Sequence, residues 1–208
     1  LVVGLGLAML ANQPFKVKWP VRLGLLLPWA LPLVFAGLIF RWFFEYQQGL
    51  VNNALIWLGL SPVNWLTQEG PAFFAVCLAI IWKSSSFAAL VLLAGLQTIP
   101  KSLYEAAEVD GASKWRQFWT ITIPMVLPFL MLAVLFRGIE NFKMFDMVVL
   151  LTGGGPGNET LLASIDLKRE AFEKWRTGYS SAFAIILFVA VFGLANIYVK
   201  ALNRVKAR

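Results

Sequence analysis

The side chains that could do chemistry in this chain are few, and their types exclude most classes of enzyme. There is no histidine among the 208 residues, and the single cysteine, Cys77, lies inside an apolar run. The chain therefore can form no internal disulfide, and a Cys/His metal site is not expected. The glycine-rich run 153–157 lacks the Lys-Ser/Thr ending of a phosphate-binding loop. We expect no catalytic residue, no metal and no cofactor held by this chain, and no ATP hydrolysis by it.

Charged residues within apolar stretches are the remaining candidates for a functional role. Lys83 follows Pro71 by 12 residues, and the serines 84–86 come directly after it. A second group repeats every three residues: Arg137, Glu140, Lys143 and Asp146. Side chains at positions i and i+3 of a helix can pair, so the alternating signs of this row are self-neutralising.

A charge at the centre of a bilayer costs about 2.5–3.5 kcal/mol, so it usually faces protein or a water-filled path. The residues that could line a substrate path are Lys83, Glu140, Asn141 and Lys143. Two structural readings stay open for the 137–146 row. It could be a salt-bridged row that fixes one helix to a partner, or it could mark the membrane boundary.

The composition indicates a membrane protein. Hydrophobic residues make up 59% of the chain and charged residues 14%, whereas globular domains average about 45–50% and about 25%. The net charge of +7 does not indicate nucleic acid, because the basic residues are spread between the apolar runs. The excess apolar surface must face lipid or other membrane helices.

Five apolar runs predict an all-α membrane protein with about five transmembrane helices. A span needs about 20 apolar residues. The runs are Leu1–Ala11, Leu23–Phe40, Pro71–Leu96, Pro124–Phe136 and Tyr179–Val199. We interpret the first as the end of a span rather than a signal peptide, because no basic segment precedes it and no cleavage site follows it.

The distribution of lysine and arginine predicts the orientation, since cytoplasmic loops are enriched in both. Basic residues follow the first run (Lys16, Lys18, Arg22), lie in the loop 97–123 (Lys101, Lys114, Arg116) and end the chain (Lys200, Arg204, Lys206, Arg208). The segment 44–70 carries no lysine or arginine, so it is predicted to be periplasmic. Alternation places 152–178 outside as well, although it has four basic residues. The predicted location is the bacterial inner membrane, with a cytoplasmic C-terminus.

The loop 97–123, which we call the elbow, is unusually patterned. Pro100 and Ser102 can start a helix, and Ser102 with Glu105 has the spacing of a capping box. The pattern predicts a helix over 103–110, a sharp turn at Gly111, and a second helix with one apolar face. That face comprises Trp115, Phe118, Trp119 and Thr122. Two short helices that meet at a glycine would present a knob to a partner.

This loop also carries a family resemblance. Glu105-Ala106-Ala107, then Gly111, then Ile121-Thr122-Ile123-Pro124, resembles the EAA motif of ATP-binding-cassette (ABC) importer permeases, with Ile123 where that family has Leu. Further similar segments are Leu26–Trp29, Ala94–Pro100, Lys143–Asp146 and Leu151–Gly157. Together they are similar to the carbohydrate-importing branch, the permeases of the maltose and glycerol-phosphate type.

The resemblance implies a single permease domain over residues 1–208, covering about the last five helices of a six-helix core. It implies that the elbow docks in a cleft of an ATPase subunit, where Glu105 pairs with a basic residue. The coupling residues it implies are Glu105, Ala106, Ala107, Asp110, Gly111 and Pro124. The implied partners are a second, different permease chain, two ATP-binding subunits that hold ATP and Mg, a substrate-binding protein and membrane lipid. The implied cargo is a sugar or related polyol.

The same residues allow other interpretations. Without the motif spacing, Glu105 and Glu108 would be ordinary solvated acids, and the alanines would be good helix formers. An ion-coupled secondary carrier would use Lys83 and the 137–146 row as its coupling site, but the patterned elbow and the lack of internal repeats argue against it. A membrane enzyme is not expected, because the sequence has no histidine, no nucleophile motif and no metal-ligand spacing.

Overall fold

The structure is a computed structural model that describes residues 1–14, 16–17 and 19–206. Every regular element within these residues is helical, which confirms the predicted all-α class. Lys18 and Arg208, which the charge pattern used for orientation, lie outside the described residues. The helices are α1 (Val2–Ala11), α2 (Trp19–Ala30), α3 (Leu33–Phe43), α4 (Leu50–Trp57), α5 (Pro71–Gln97), α6 (Lys101–Val109), α7 (Lys114–Gln117), α8 (Ile123–Phe142), α9 (Asp146–Leu151), α10 (Ala163–Lys168) and α11 (Thr177–Lys206). Two π-helical turns, Phe118–Thr122 and Arg169–Glu173, follow α7 and α10.

Three of these helical stretches are long and apolar enough to cross a membrane. They are Pro71–Gln97, Lys114–Phe142 and Thr177–Lys200. The pair α2 and α3 passes the same test only when taken together, and α1 is a shorter apolar helix of 10 residues. The five predicted runs thus correspond to three full-length helices, one bent pair and one short helix.

The run Leu23–Phe40, predicted as one span, is two helices that meet at a 98° bend. Proline explains the break. Pro32 has no N–H to continue the helix, and a proline also disfavours the helical conformation of the residue before it. The carbonyl of Leu31, freed at this break, accepts a hydrogen bond from the ammonium of Lys83. Such a partner is what a broken helix at membrane depth requires.

The fourth predicted span begins earlier and ends later than expected. The elbow's second helix continues through the first π turn into α8 without interruption, so Pro124 lies inside one helical stretch, Lys114–Phe142. The helix ends at Phe142, and the chain turns before Asp146 begins α9. The predicted row of charges on one helix is therefore wrong, because Lys143 and Asp146 lie beyond its end.

The described chain forms two compact units. The first comprises Leu1–Ala30, Ser84–Gly138 and the segment from Ile197 onward. Its buried core includes Leu25, Leu92, Leu96 and Val126, among others. Helices α5 and α8 approach closely at Gly95, where an added Cβ would lie 2.7 Å from the ring of Phe129. Small residues at such contacts are typical of membrane helix packing.

The second unit comprises Leu31–Lys83 and Ile139–Asn196. Within it α3 packs against α9, and the buried core includes Phe40, Phe44, Met147, Val148 and Leu151. It also holds the two loops that were predicted to be periplasmic.

Candidate functional site

The first helix of the elbow, α6, starts before its predicted position. It begins at Lys101 with Pro100 as the N-cap residue, and no side chain caps it. Ser102 is therefore the second helical residue, and the predicted capping box of Ser102 and Glu105 is wrong. The extended backbone of Pro100 (φ −62°, ψ 134°) leads directly into the helix and leaves Ser102 no place at the cap.

The predicted turn at Gly111 is confirmed. Gly111 has φ +75°, a conformation that costs other residues about 1–2 kcal/mol. The N–H of Ala112 donates to the carbonyl of Ala107 at 2.8 Å, and the N–H of Gly111 donates to that of Glu108 at 3.0 Å. This pair of bonds is the Schellman motif, which ends a helix and reverses the chain.

Side chains then join the two elbow helices. Gln117, which is 2% exposed, donates from Nε2 to the carbonyl of Ala112 at 3.0 Å. Lys114 forms an ion pair with Glu108 across the turn. The hydroxyl of Ser113 caps the second helix by accepting from the N–H of Arg116 at 3.3 Å.

A further bond fixes α6 to the base of the long helix. The hydroxyls of Tyr104 and Thr122 lie 2.9 Å apart, and Thr122 is buried. The predicted apolar face is therefore wrong for one of its four residues, Thr122. Trp115, Phe118 and Trp119 pack together, with ring centroids 5.1–5.9 Å apart, whereas Thr122 points to α6. The π turn, which adds residues to one helical turn, explains why a 3.6-residue period misplaced it.

The outer surface of the elbow is acidic and apolar. Glu105, Ala106, Asp110 and Gly111 are exposed, and Ala107 is half-buried. Val109 between them is 89% exposed. Glu105 forms no ion pair or side-chain hydrogen bond with the residues that the structure describes. Pro124, the last predicted coupling residue, is exposed on α8. The elbow is a braced knob whose outer carboxylate is available to a partner.

The predicted substrate-path residues lie at two places in the second unit. Lys83 is half-buried in α5 and donates to the carbonyl of Leu31. Glu140 and Asn141 end α8, Lys143 follows, and all three are exposed. Lys143 borders a groove of about 370 Å³ between α8 and α11 whose other lining side chains are apolar.

Asn52 was not predicted from the sequence, yet it organises the loop 44–70. Its side chain is fully buried and makes four hydrogen bonds. Nδ2 donates to the carbonyls of Tyr46 (2.9 Å) and Val63 (3.0 Å), and Oδ1 accepts from the N–H of Val63 (3.0 Å) and Nε1 of Trp65 (2.9 Å). An asparagine in an uncharged stretch gives only a weak signal of such a role.

The glycine run 153–157 forms a turn-rich loop. Gly153, Gly154 and Gly157 all have positive φ. The Thr160 hydroxyl donates to the carbonyl of Gly155 at 2.7 Å, and Arg169 donates to that of Gly153 at 2.7 Å. These bonds hold the loop together from within.

Comparison with known proteins gives these features a context. The family of binding-protein-dependent transport system inner membrane components matches residues 1–206. The sulfoquinovosyl glycerol transport system permease protein SmoG of Agrobacterium fabrum is 49% identical over 98% of this chain and 66% of its own length. The trehalose/maltose transport system permease protein MalF of Thermococcus litoralis is 40% identical over 96% of this chain and 67% of its own. The chain thus spans about two thirds of the length of these relatives.

Solved structures show the same fold. A bacterial ABC transporter involved in the import of the acidic polysaccharide alginate matches with a TM-score of 0.87 and 26% identity, over 97% of this chain and 72% of that one. The alginate transporter in complex with its alginate pentasaccharide-bound periplasmic protein matches with a TM-score of 0.82. By its sequence and by its fold, the chain belongs to the family of binding-protein-dependent transport system inner membrane components.

Proposed function

We propose that this chain is a membrane-spanning permease subunit of an ABC importer that moves a sugar or related polyol into the cytoplasm. The observation that carries the proposal is the family match over residues 1–206, together with relatives that are themselves permeases for sulfoquinovosyl glycerol and for trehalose or maltose. The ion-coupled carrier is not favoured by this membership.

The partners follow from the same family. A substrate-binding protein would deliver the cargo, as suggested by the solved relative that is bound to its periplasmic protein. A second, different permease chain would complete the path, and two ATP-binding subunits would hold ATP and Mg. In this arrangement the elbow and the C-terminus are cytoplasmic, and the loops 44–70 and 152–178 are periplasmic.

The elbow is the proposed contact with the ATPase. Glu105 is exposed, and within the described residues its carboxylate has no ion-pair partner. The bond from Gln117, the turn at Gly111 and the hydroxyl pair of Tyr104 and Thr122 brace the knob on the long helix. A braced knob suits the transmission of rigid-body motion, which is a common route of conformational switching.

For the substrate path we retain Glu140, Asn141 and Lys143 as candidates, supported by their exposure at the end of α8 and the turn after it. Lys83 remains a candidate because it lies near the middle of α5. Its bond to the Leu31 carbonyl supports an additional role in holding the bent pair together.

The test is affinity purification of the tagged permease in mild detergent, with quantification of the ATPase that co-purifies. Charged hydrogen bonds contribute about 1.5–3 kcal/mol, so we expect Glu105→Gln to reduce the recovered ATPase about tenfold or more. Glu108→Gln makes the same chemical change on the same helix, and we expect it to retain the ATPase, since Glu108 pairs with Lys114 inside the elbow. Equal recovery with both variants would refute the role of Glu105, and recovery of no ATPase with the wild type would refute the importer.

A further inference from the structure

The segment before α11 holds a tryptophan in an unusual backbone conformation. Trp175 has φ +55°, and it is the one non-glycine residue with positive φ within the described part of the chain. This region costs a residue with a side chain about 1–2 kcal/mol. Strain of this kind persists only where the surrounding structure holds it, and it is often found at functional positions.

A buried carboxylate holds this segment on both sides of the tryptophan. Glu170 is 6% exposed. Its two carboxylate oxygens accept from the ammonium of Lys174 and, at 3.5 Å, from the guanidinium of Arg176. The N–H of Arg176 also donates to the Glu170 carbonyl at 2.9 Å. The residues that flank Trp175 are thus tied to one anchor, which we call the Glu170 clasp.

Large aromatic side chains of this segment are exposed. Trp175 is 78% exposed, and its neighbours Phe172 and Tyr179 are 69% and 59% exposed. Exposed aromatic side chains that lie so close together on a short segment indicate a contact with something outside the chain.

The position of the segment indicates what that contact is. Trp175 lies two residues before α11, and the part of α11 that is apolar enough to span a membrane contains an 18-residue stretch with no buried residue. Because this helix is long and apolar enough to cross a membrane, the residues just before it lie at the level of the lipid headgroups. Tryptophan and tyrosine are enriched at this level. Lys174 and Arg176 add exposed positive charge there, at 56% and 66% side-chain exposure.

We propose that Phe172, Trp175 and Tyr179 form a lipid anchor that the Glu170 clasp holds at the membrane surface, and that its ligand is phospholipid, with anionic headgroups favoured. This inference does not depend on which cargo is transported. The strained conformation of Trp175 places its ring outward, and the clasp supplies the charge pairing that maintains it.

The experiment uses the permease in its natural assembly, reconstituted in vesicles of phosphatidylethanolamine and phosphatidylglycerol. Cys77 is the only cysteine, so Cys77→Ala gives a background in which single spin labels can be placed through Phe172→Cys or Tyr179→Cys. Asn158→Cys, at an exposed position of the loop 152–178, is the matched control. The readout is the ratio of spin-label collisions with oxygen, which partitions into lipid, to collisions with a water-soluble nickel chelate.

We expect a severalfold higher ratio at positions 172 and 179 than at 158, and a fall toward the control value when Glu170→Gln is added. Water-like ratios at 172 and 179 would overturn the lipid anchor. A ratio unchanged by Glu170→Gln would overturn the role of the clasp. Both labels could instead become inaccessible to oxygen and to the nickel chelate only when the binding protein is added. That result would identify a protein-docking surface and would also overturn the proposal. Quenching by brominated lipid, compared between the wild type and Trp175→Phe, checks the result without any cysteine.

Discussion

Replacing Asn52 with leucine tests a fully buried side chain that makes four hydrogen bonds. Leucine has nearly the same size, so the change removes hydrogen bonds with little change in volume. It removes the Asn52 partner of four groups: the carbonyls of Tyr46 and Val63, the N–H of Val63 and Nε1 of Trp65. The Val63 carbonyl still accepts from the N–H of Trp65 at 3.1 Å.

The expected loss follows from that count. A hydrogen bond contributes about 0.5–1.5 kcal/mol net, so four bonds contribute roughly 2–6 kcal/mol. Tyr46 is exposed and Val63 and Trp65 are half-buried, so water reaches some of the freed groups. We therefore expect Asn52→Leu to lower the free energy of unfolding by about 3–4 kcal/mol. At about 2–4 °C per kcal/mol for a chain of this length, the melting temperature should fall by about 6–16 °C.

The assay is the apparent melting temperature in detergent, followed by tryptophan fluorescence. Asn53→Leu is the matched control, because Asn53 is exposed and its side chain makes one bond, to the carbonyl of Gln48 at 3.2 Å. That control should lose less than about 1 kcal/mol. If Asn52→Leu melts no lower than Asn53→Leu, the four bonds do not stabilise the loop and the reasoning is wrong.

Three further predictions concern the elbow, the bent pair and the clasp. Gly111→Val should reduce ATPase co-purification about 5- to 30-fold, because valine at φ +75° costs at least about 1–2 kcal/mol; Gly111→Asn should lose less, and equal recovery would contradict the turn's role. Lys83→Met should lower the melting temperature more than Lys83→Arg, which keeps a donor for the Leu31 carbonyl; identical melting of the two variants would show that this bond is dispensable. The pKa of Glu170 is lowered, chiefly by the hydrogen bond from Lys174, so the clasp should stabilise the protein above the ordinary glutamate pKa of about 4.3 and release as pH falls through the lowered value. Tryptophan emission should then be constant from about pH 7 to 5 and change below about 4.3, and Glu170→Gln should abolish this acid transition.

Much of the fold was predictable because membrane insertion depends on local composition. A bilayer selects long apolar runs, so counting them identified α5, α8 and α11 before any tertiary contact was known. The turn at Gly111 was predictable for the same kind of reason, since only glycine adopts positive φ without a steric cost. The family resemblance likewise depends on a fixed local spacing of residues.

Other features depended on contacts between distant segments. The bend at Pro32 was not predicted, because prolines are often tolerated in membrane helices and only a partner such as Lys83, 52 residues from Leu31, satisfies the carbonyl freed at the break. The end of α8 at Phe142 was not predicted either, because the charged residues continue at the same three-residue spacing beyond it. Lys143 therefore lies outside the helix that carries Arg137 and Glu140.

The sequence by itself thus determined the class of protein, the approximate spans and the presence of the elbow, because each depends on composition or on neighbours along the chain. The tertiary structure decided which polar side chains are structural. Three such side chains are buried and bonded: Gln117 inside the elbow, Asn52 in the loop 44–70 and Glu170 in the clasp. The physical reason is that a buried polar group is stabilising only with a partner at the right place, and folding alone brings that partner to it.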